Sequence, residues 1–257
     1  MTTYERRQSL LEQLRKQPGL RVRELAETLH VSEGTVRNDL NALELDGYVK
    51  RVHGGATIKE QESTQSIPFT ARKDEYSTEK LLVARAASNM IADGDSIMLD
   101  ASSSAYALAK AIHDRSRLRV VTNGLDVARV LAKNASNTVM LIGGIVSQDG
   151  SSVTGLFSER IIQELHIQKA FVSSSGFTLE NGLTDVRIDE AKLKRLAISV
   201  AQEVIALIDS SKFGKDDLTS FARLEQINCV ITDAGINPLW AQLIERTGIS
   251  LIICRVD

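Results

Sequence analysis

The chain has 257 residues and a formal net charge of −2, with 43% hydrophobic and 25% charged side chains. That is room for a small domain plus an α/β domain of ordinary size, with the balance of a water-soluble globular protein. Bulk charge does not attract a polyanion, and no apolar run approaches the ~20 residues that span a bilayer, so no membrane partner is expected. The opening MTTYERRQSLLEQL is charged and amphipathic, unlike a secretory signal, and a cytoplasmic protein is expected. Cys229 and Cys254 lie far apart with no His or Cys at ligand spacing, so neither a metal nor a cofactor is expected. Both sit in apolar runs and read as buried strand residues.

A first helix is predicted over Tyr4 to Gln17, with Leu10, Leu11 and Leu14 inward and Pro18-Gly19 as its stop. Residues 21–56 then read as helices about a turn at Leu29-His30-Val31-Ser32, followed by a hairpin. Ser32 suits the N-cap of the second helix, and Val36, Leu40 and Leu43 recur at helical spacing to give it a buried face. Its opposite face carries Gly34, Asn38 and Asn41, flanked by Thr35 and Arg37. Asn makes two hydrogen bonds to adenine and Arg two to guanine, so this helix has the groups for reading bases in a major groove. After Gly47, Tyr48 to His53 alternates like a strand and leads into Gly54-Gly55. No acid lies between Gly47 and Lys59, whereas Lys50, Arg51 and His53 do, which marks a basic wing for phosphate or minor-groove contact. Residues 1–57 contain nine Lys and Arg against eight acids, so the signal is local placement. Double-stranded DNA is the expected partner.

Residues 58–77 are polar, contain Pro68 and read as a linker in which Phe69 pins to a neighbouring surface. From Thr78 to Ile91 a helix carries Leu81, Leu82, Ala84, Ala87 and Met90 inward. Strands are predicted at 96–99, 119–122, 138–142, 169–172, 204–208, 229–232 and 250–254. Helices are predicted at 105–113, 125–133, 156–165, 189–200 and 238–246. Short apolar strands alternating with helices indicate an α/β domain over 78–257 with a mostly parallel sheet covered on both faces.

Ligands of such sheets bind beyond the C-terminal ends of the strands. There the sequence places Asp100-Ala101-Ser102-Ser103-Ser104, Thr122-Asn123-Gly124, Gly143-Gly144, Ser173-Ser174-Ser175-Gly176 leading to Gly182-Leu183-Thr184-Asp185, and Asp209 to Gly214. Hydroxyls and amides at a helix start suit an anion. A serine run before a helix is singly more often a cap than a phosphate cradle, and the recurrence at strand after strand favours a pocket. Arg187, Lys192, Lys194 and Arg195 form a basic stretch. Lys194 and Arg195 are read as a solvated helix face, with Glu190 and Lys194 as an i,i+4 pair. None of the four histidines falls on a pocket loop.

The segment SEGTVRNDLNALELDGYVKRVHGGA resembles the DNA-binding signature of the DeoR family of bacterial transcriptional regulators, and the resemblance extends over nearly the whole chain. It implies a winged helix-turn-helix over 1–57 and a sensor domain similar in fold to ribose-5-phosphate isomerase and glucosamine-6-phosphate deaminase. It further implies a repressor of a sugar operon whose effector is a phosphorylated sugar. By the same resemblance Asn123, Asp185, Glu190 and Lys212 face that effector, beside Asp100, Ser102, Ser103, Ser104, Gly143, Gly144, Ser175 and Gly176 on the loops. The family often has Arg where this chain has Asn38, and it usually has Gly of an Asp-x-Gly-Thr-Thr loop where this chain has Ser102.

A homo-oligomer, dimer or tetramer, follows from the need to read two half-sites, with apolar faces on the C-terminal helices as its expected seat. Two other readings stand beside the regulator. One is a sugar-phosphate isomerase or deaminase using Asp100, Asp185 and Glu190 to move protons. It is disfavoured by the absence of a pocket histidine and of a visible partner for those carboxylates. The other is a DNA binder with a vestigial ligand domain. No catalytic residue is assigned.

Overall fold

Helix α1 (Val22–Leu29) and helix α2 (Glu33–Leu45) meet at a tight turn whose pivot, His30, is left-handed at φ 54°. The computed structural model describes residues 6–7, 9–10, 13–14, 20–45, 49–52, 55–58, 69 and 77–255. It divides into two compact units, Met1–Thr64 and Gln65–Asp257. In the first, the Ser32 hydroxyl accepts the Thr35 N–H at 3.1 Å and caps α2 as its sequence predicts. Leu10, Leu14, Leu25, Val36, Leu40 and Leu43 close one core, while Leu11 lies outside the described residues. Strands β1 (Val49–Val52) and β2 (Gly55–Ile58) pair antiparallel and add Val49 and Ala56 to that core.

Helix α3 (Ser77–Ser88) opens the second unit, followed by β3 (Ser96–Leu99), α4 (Ser103–Ala111), β4 (Arg119–Thr122), α5 (Leu125–Leu131) and β5 (Thr138–Leu141). A small hairpin, β6 (Ile145–Val146) and β7 (Val153–Thr154), precedes α6 (Leu156–Gln163) and β8 (Ile167–Val172). Then come β9 (Gly176–Thr178), β10 (Gly182–Asp185), α7 (Ile188–Val200), β11 (Ala201–Leu207) and β12 (Thr219–Ala222). The unit ends with β13 (Cys229–Asp233), α8 (Pro238–Arg246) and β14 (Ser250–Cys254).

Seven strands form one parallel sheet in the order β14-β13-β11-β8-β3-β4-β5. Alternation along each strand sends Ile97 and Leu99 to the face covered by α3, α4 and α5, and Met98 to the face covered by α6 and α7. Cys229 and Cys254 are buried and free, as their apolar runs suggest.

The structure corrects several expectations. The ends of the predicted Tyr4 to Gln17 helix lie outside the described residues; the other predicted strands and helices are present with ends shifted by up to three residues, but β9, β10 and β12 form an additional antiparallel sheet where a pocket loop was expected. Leu81, expected inward, is exposed, and the buried stripe of α3 runs through Lys80, Val83, Ala84 and Ala87.

Candidate functional sites

The exposed side of α2 presents Ser32, Gly34, Arg37, Asn38 and Asn41, with Thr35 half-buried beside them. Burial of Val36, Leu40 and Leu43 orients the helix, and buried Asp39 fixes it further by accepting from the Nε of both Arg6 and Arg7. Those two arginines are therefore committed inside the unit. The Arg37 guanidinium rests against Glu33 at 2.8 Å in an exposed i,i+4 pair, which is worth little in water and yields readily to a base or phosphate. Lys50 and Arg51 lie on β1; their side chains, and all of His53, fall outside the described residues.

In the second unit the chain runs one way from β3 through β4 to β5 and the other way from β8 through β11, β13 and β14. The switch point lies between β3 and β8, where parallel sheets open a crevice at their C-terminal ends. Asp100 occupies it, fully buried. Its Oδ1 accepts the Ser102 N–H at 3.0 Å and the Ser102 hydroxyl, and its Oδ2 accepts the Ser173 N–H at 2.8 Å. One carboxylate thus ties together the loops that follow β3 and β8. Ser102 also caps α4, accepting from the Ala105 N–H at 3.0 Å. Ser103 and Ser104 are buried in the first turn of that helix, and Ser173 donates to the Ser104 hydroxyl at 3.5 Å. Buried Ser174 Oγ finds no hydrogen-bond partner among the described residues.

Lys194 is the centre of the cluster, not the solvated residue its charge suggests. Its ammonium is buried, donates to Asp185 Oδ2 and to the Ser173 carbonyl at 2.7 Å each, and lies 3.3 Å from Asp100 Oδ2. Burial disfavours its charge, but Asp185, Asp100 and Glu190 together outweigh that and raise its pKa above the ordinary lysine value. The carboxylates therefore do have a partner, contrary to the sequence reading. Burial pushes the Glu190 carboxyl above its ordinary range, against the pull of Lys194, Ser152, Arg187 and Asn123. Glu190 Oε2 accepts from Asn123 Nδ2 at 3.0 Å, whereas Oε1 has no hydrogen-bond donor among the described residues and faces the Arg187 guanidinium at 3.5 Å. Asp217 is raised by burial and by Asp185, against half-buried Lys212 and Lys215.

A cavity of about 260 Å³ adjoins this cluster through Ser103 and is lined also by Ser77, Lys80, Leu81, Tyr106, Ala107 and Lys110. It runs between the first turn of α3 and one side of α4 from Ser103 to Lys110, so two lysines line one space. Lys80 is 7% exposed, and the Lys110 ammonium sits 4.9 Å from the centre of the Tyr106 ring. Buried Phe69 packs edge-on against the same ring at 6.2 Å, the pinning its sequence position suggests.

The remaining expected residues divide. Ser175 and Gly176 are buried beside the cluster, but Gly176 has no space for a side chain, since a Cβ would meet the Lys215 carbonyl at 2.3 Å. Gly143 and Gly144 are exposed at the end of β5 and route the hairpin. The Ser158 hydroxyl donates to Gly143 O at 2.6 Å, and a Cβ at Gly144 would strike the Thr154 carbonyl at 2.3 Å. Sequence reasoning passed over Lys80, Tyr106, Lys110 and Ser152. For Lys80 the signal was present: a lysine in register with Val83, Ala84 and Ala87 stands in the buried stripe of its helix.

Residues 6–62 match the DeoR-like helix-turn-helix domain and residues 75–234 the DeoR C terminal sensor domain. The chain belongs to the DeoR family. The HTH-type transcriptional regulator GolR of Listeria innocua is 37% identical over 99% of this chain and 100% of its own. The lactose phosphotransferase system repressor of Staphylococcus epidermidis is 34% identical over 91% of this chain and 93% of its own. A ribose 5-phosphate isomerase A of Methanocaldococcus jannaschii aligns with 52% of this chain and 53% of its own, at 16% identity and a TM-score of 0.39. This DeoR-family chain is a DNA-binding transcriptional regulator and not an enzyme. No helix among the described residues is long and apolar enough to cross a membrane.

Proposed function

We propose that this regulator represses a sugar-metabolism operon and that a phosphorylated sugar, bound at the β3–β8 switch point, changes its grip on operator DNA. In this reading residues 1–57 hold the operator, 58–77 link, and 78–257 sense the effector and assemble copies into a homo-oligomer. Ser32, Gly34, Thr35, Arg37, Asn38 and Asn41 face bases and backbone in the major groove, and Lys50, Arg51 and His53 supply the wing's phosphate contacts.

The observation that carries the ligand reading is the division of the site into two chemically distinct ends joined at Ser103. One end is a cavity lined by Lys80, Lys110 and the first turn of α3, suited to a phosphate. The other holds Asp100, Asp185, Glu190 and Asn123 around Lys194, acceptors and donors for hydroxyl groups. Ser102 and Ser104 complete the turn between the two ends, and Lys212 adds charge at the rim. The name of the lactose phosphotransferase system repressor supports a sugar-linked role. Coupling between effector and operator of about 1–3 kcal/mol changes affinity roughly 5- to 150-fold.

Thermal melting of the purified protein against sugar phosphates and their unphosphorylated parents tests the site. A phosphate ester at about 100 times its dissociation constant adds ~2.7 kcal/mol to the sensor's stability, and the parent sugar adds far less. Ser103→Glu places a carboxylate at the joint and abolishes that shift. A normal response in Ser103→Glu moves the phosphate elsewhere, and operator binding unchanged by the active ester removes the coupling.

A further inference from the structure

We propose that a second copy of this chain docks on the face formed by β5, the β6–β7 hairpin and the start of α6. The proposal rests on the reading that the regulator works as a pair of DNA-binding heads, and it places where the pair is held. Phe157 is 72% exposed and Ile145 76%, and Met140, Val146, Leu156 and Ile161 are exposed around them. The hairpin meets the start of α6. Ile145 packs against the Cα side of Gly155, where a Cβ would lie 3.9 Å from it, directly before Leu156. Phe157 and Ile161 share one side of α6 at i,i+4 spacing. Strand β5 is the last strand of the parallel sheet, and its sequence TVML has neither the lysine nor the proline that edge strands use against pairing.

Three considerations select a copy of the same chain as the occupant. These six residues leave on the order of 600 Å² in water, close to the ~800 Å² per partner of a standard interface and at the upper end of what monomers tolerate. A two-fold interface sets the same patch against itself, which an uncharged apolar surface permits and a charged one resists. Reading two half-sites requires two recognition helices, and a dimer of sensor units supplies them.

The opposite side of the same hairpin forms part of the ligand site. Val153 N–H donates to the Asn123 carbonyl at 2.9 Å, and Arg187 donates to the Ser152 hydroxyl at 3.4 Å. The Thr154 hydroxyl donates to Asp189 Oδ2 at 2.9 Å. One short ribbon therefore touches Asn123 and Arg187, partners of Glu190, on one side and presents Ile145 and Val146 outward on the other. A ligand that shifts those partners shifts the docking face with them.

Sedimentation equilibrium of the full chain at micromolar concentration tests the proposal, with Phe157→Glu and Ile145→Glu as two separate variants. Both side chains are mostly exposed, so both variants keep the wild-type circular dichroism spectrum, and their melting temperature falls by no more than the lost association accounts for. The expected result is a wild-type dimer or larger assembly and a self-association constant weakened at least 100-fold in each variant. Wild-type mass in both variants overturns the proposal, as does a monomeric wild type. Operator binding measured alongside separates the two readings. Intact operator binding with unchanged variant mass refutes this face and leaves the regulator standing. Monomeric variants of a protein that binds no DNA support the face and refute the repressor.

Discussion

Lys194→Met removes the one buried cation that Asp100 and Asp185 share. At 2.7 and 3.3 Å the two attractions are worth about 6 and 5 kcal/mol at an effective dielectric constant near 20, and desolvating the ammonium cancels much of that sum. The variant keeps the carboxylates and loses their counter-charge, the situation that costs roughly 3–5 kcal/mol, a large share of the ~5–15 kcal/mol of an ordinary domain. The pH dependence follows from the direction of the lysine's shift. A raised folded pKa makes its contribution fully present below the ordinary value of 10.5 and lost only as pH climbs beyond it. The wild-type contribution is therefore constant from pH 6 to 9. Urea denaturation read by tryptophan fluorescence measures this directly. The single tryptophan, Trp240, packs against Phe177 and Phe213 at 6.1 and 5.9 Å in this unit. A loss below ~1 kcal/mol at pH 7 refutes the buried-cation reasoning.

Glu190→Gln tests the other buried titration. A carboxyl whose folded pKa is raised contributes stability below its ordinary 4.5 and loses it as pH rises through the folded value. The variant therefore flattens the stability–pH curve above 4.5, and denaturant midpoints across pH 4 to 8 that keep the wild-type slope contradict this. Arg37→Ala leaves the sensor's melting response to ligand untouched and removes specific operator binding. Bidentate base contacts of this kind are each worth about 1–3 kcal/mol. Gel-shift titration with specific and scrambled DNA decides it, and equal specific affinity in the variant removes Arg37 from base reading.

The large sheet was legible because its strands are short apolar runs between helices, and Ser96–Leu99, Arg119–Thr122 and Ser250–Cys254 lie where the sequence puts them. The antiparallel β9–β10–β12 sheet was not. Gly182-Leu183-Thr184-Asp185 is buried at all four positions, so no alternation marks it, and its glycine and aspartate read as loop. Asp100 was found because it follows a strand, whereas Asp185 and Glu190 came from the family resemblance. Lys80 and Lys194 were missed because a lysine on a helix is ordinarily solvated. On α7 the residues Glu190, Ala191, Lys194, Ala197 and Ile198 form one buried stripe, and a lysine in register with alanines and isoleucine is a stronger sign of a buried ion pair than its charge is of exposure.

The order in which the ribosome delivers these parts has its own consequence. The core of Met1–Thr64 is built from residues of that stretch alone. Asp100, by contrast, waits for Ser173, Asp185 and Lys194, some 70 to 95 positions later, before its charge and lone pairs are met. Domains fold as units, N-terminal first, at synthesis rates of about 5–20 residues per second. A nascent chain thus exposes an operator-reading surface for several seconds before any effector can act on it. In the proposed reading, a chain cut short before Lys194 keeps its recognition helix and lacks the charge cluster that would hold the effector.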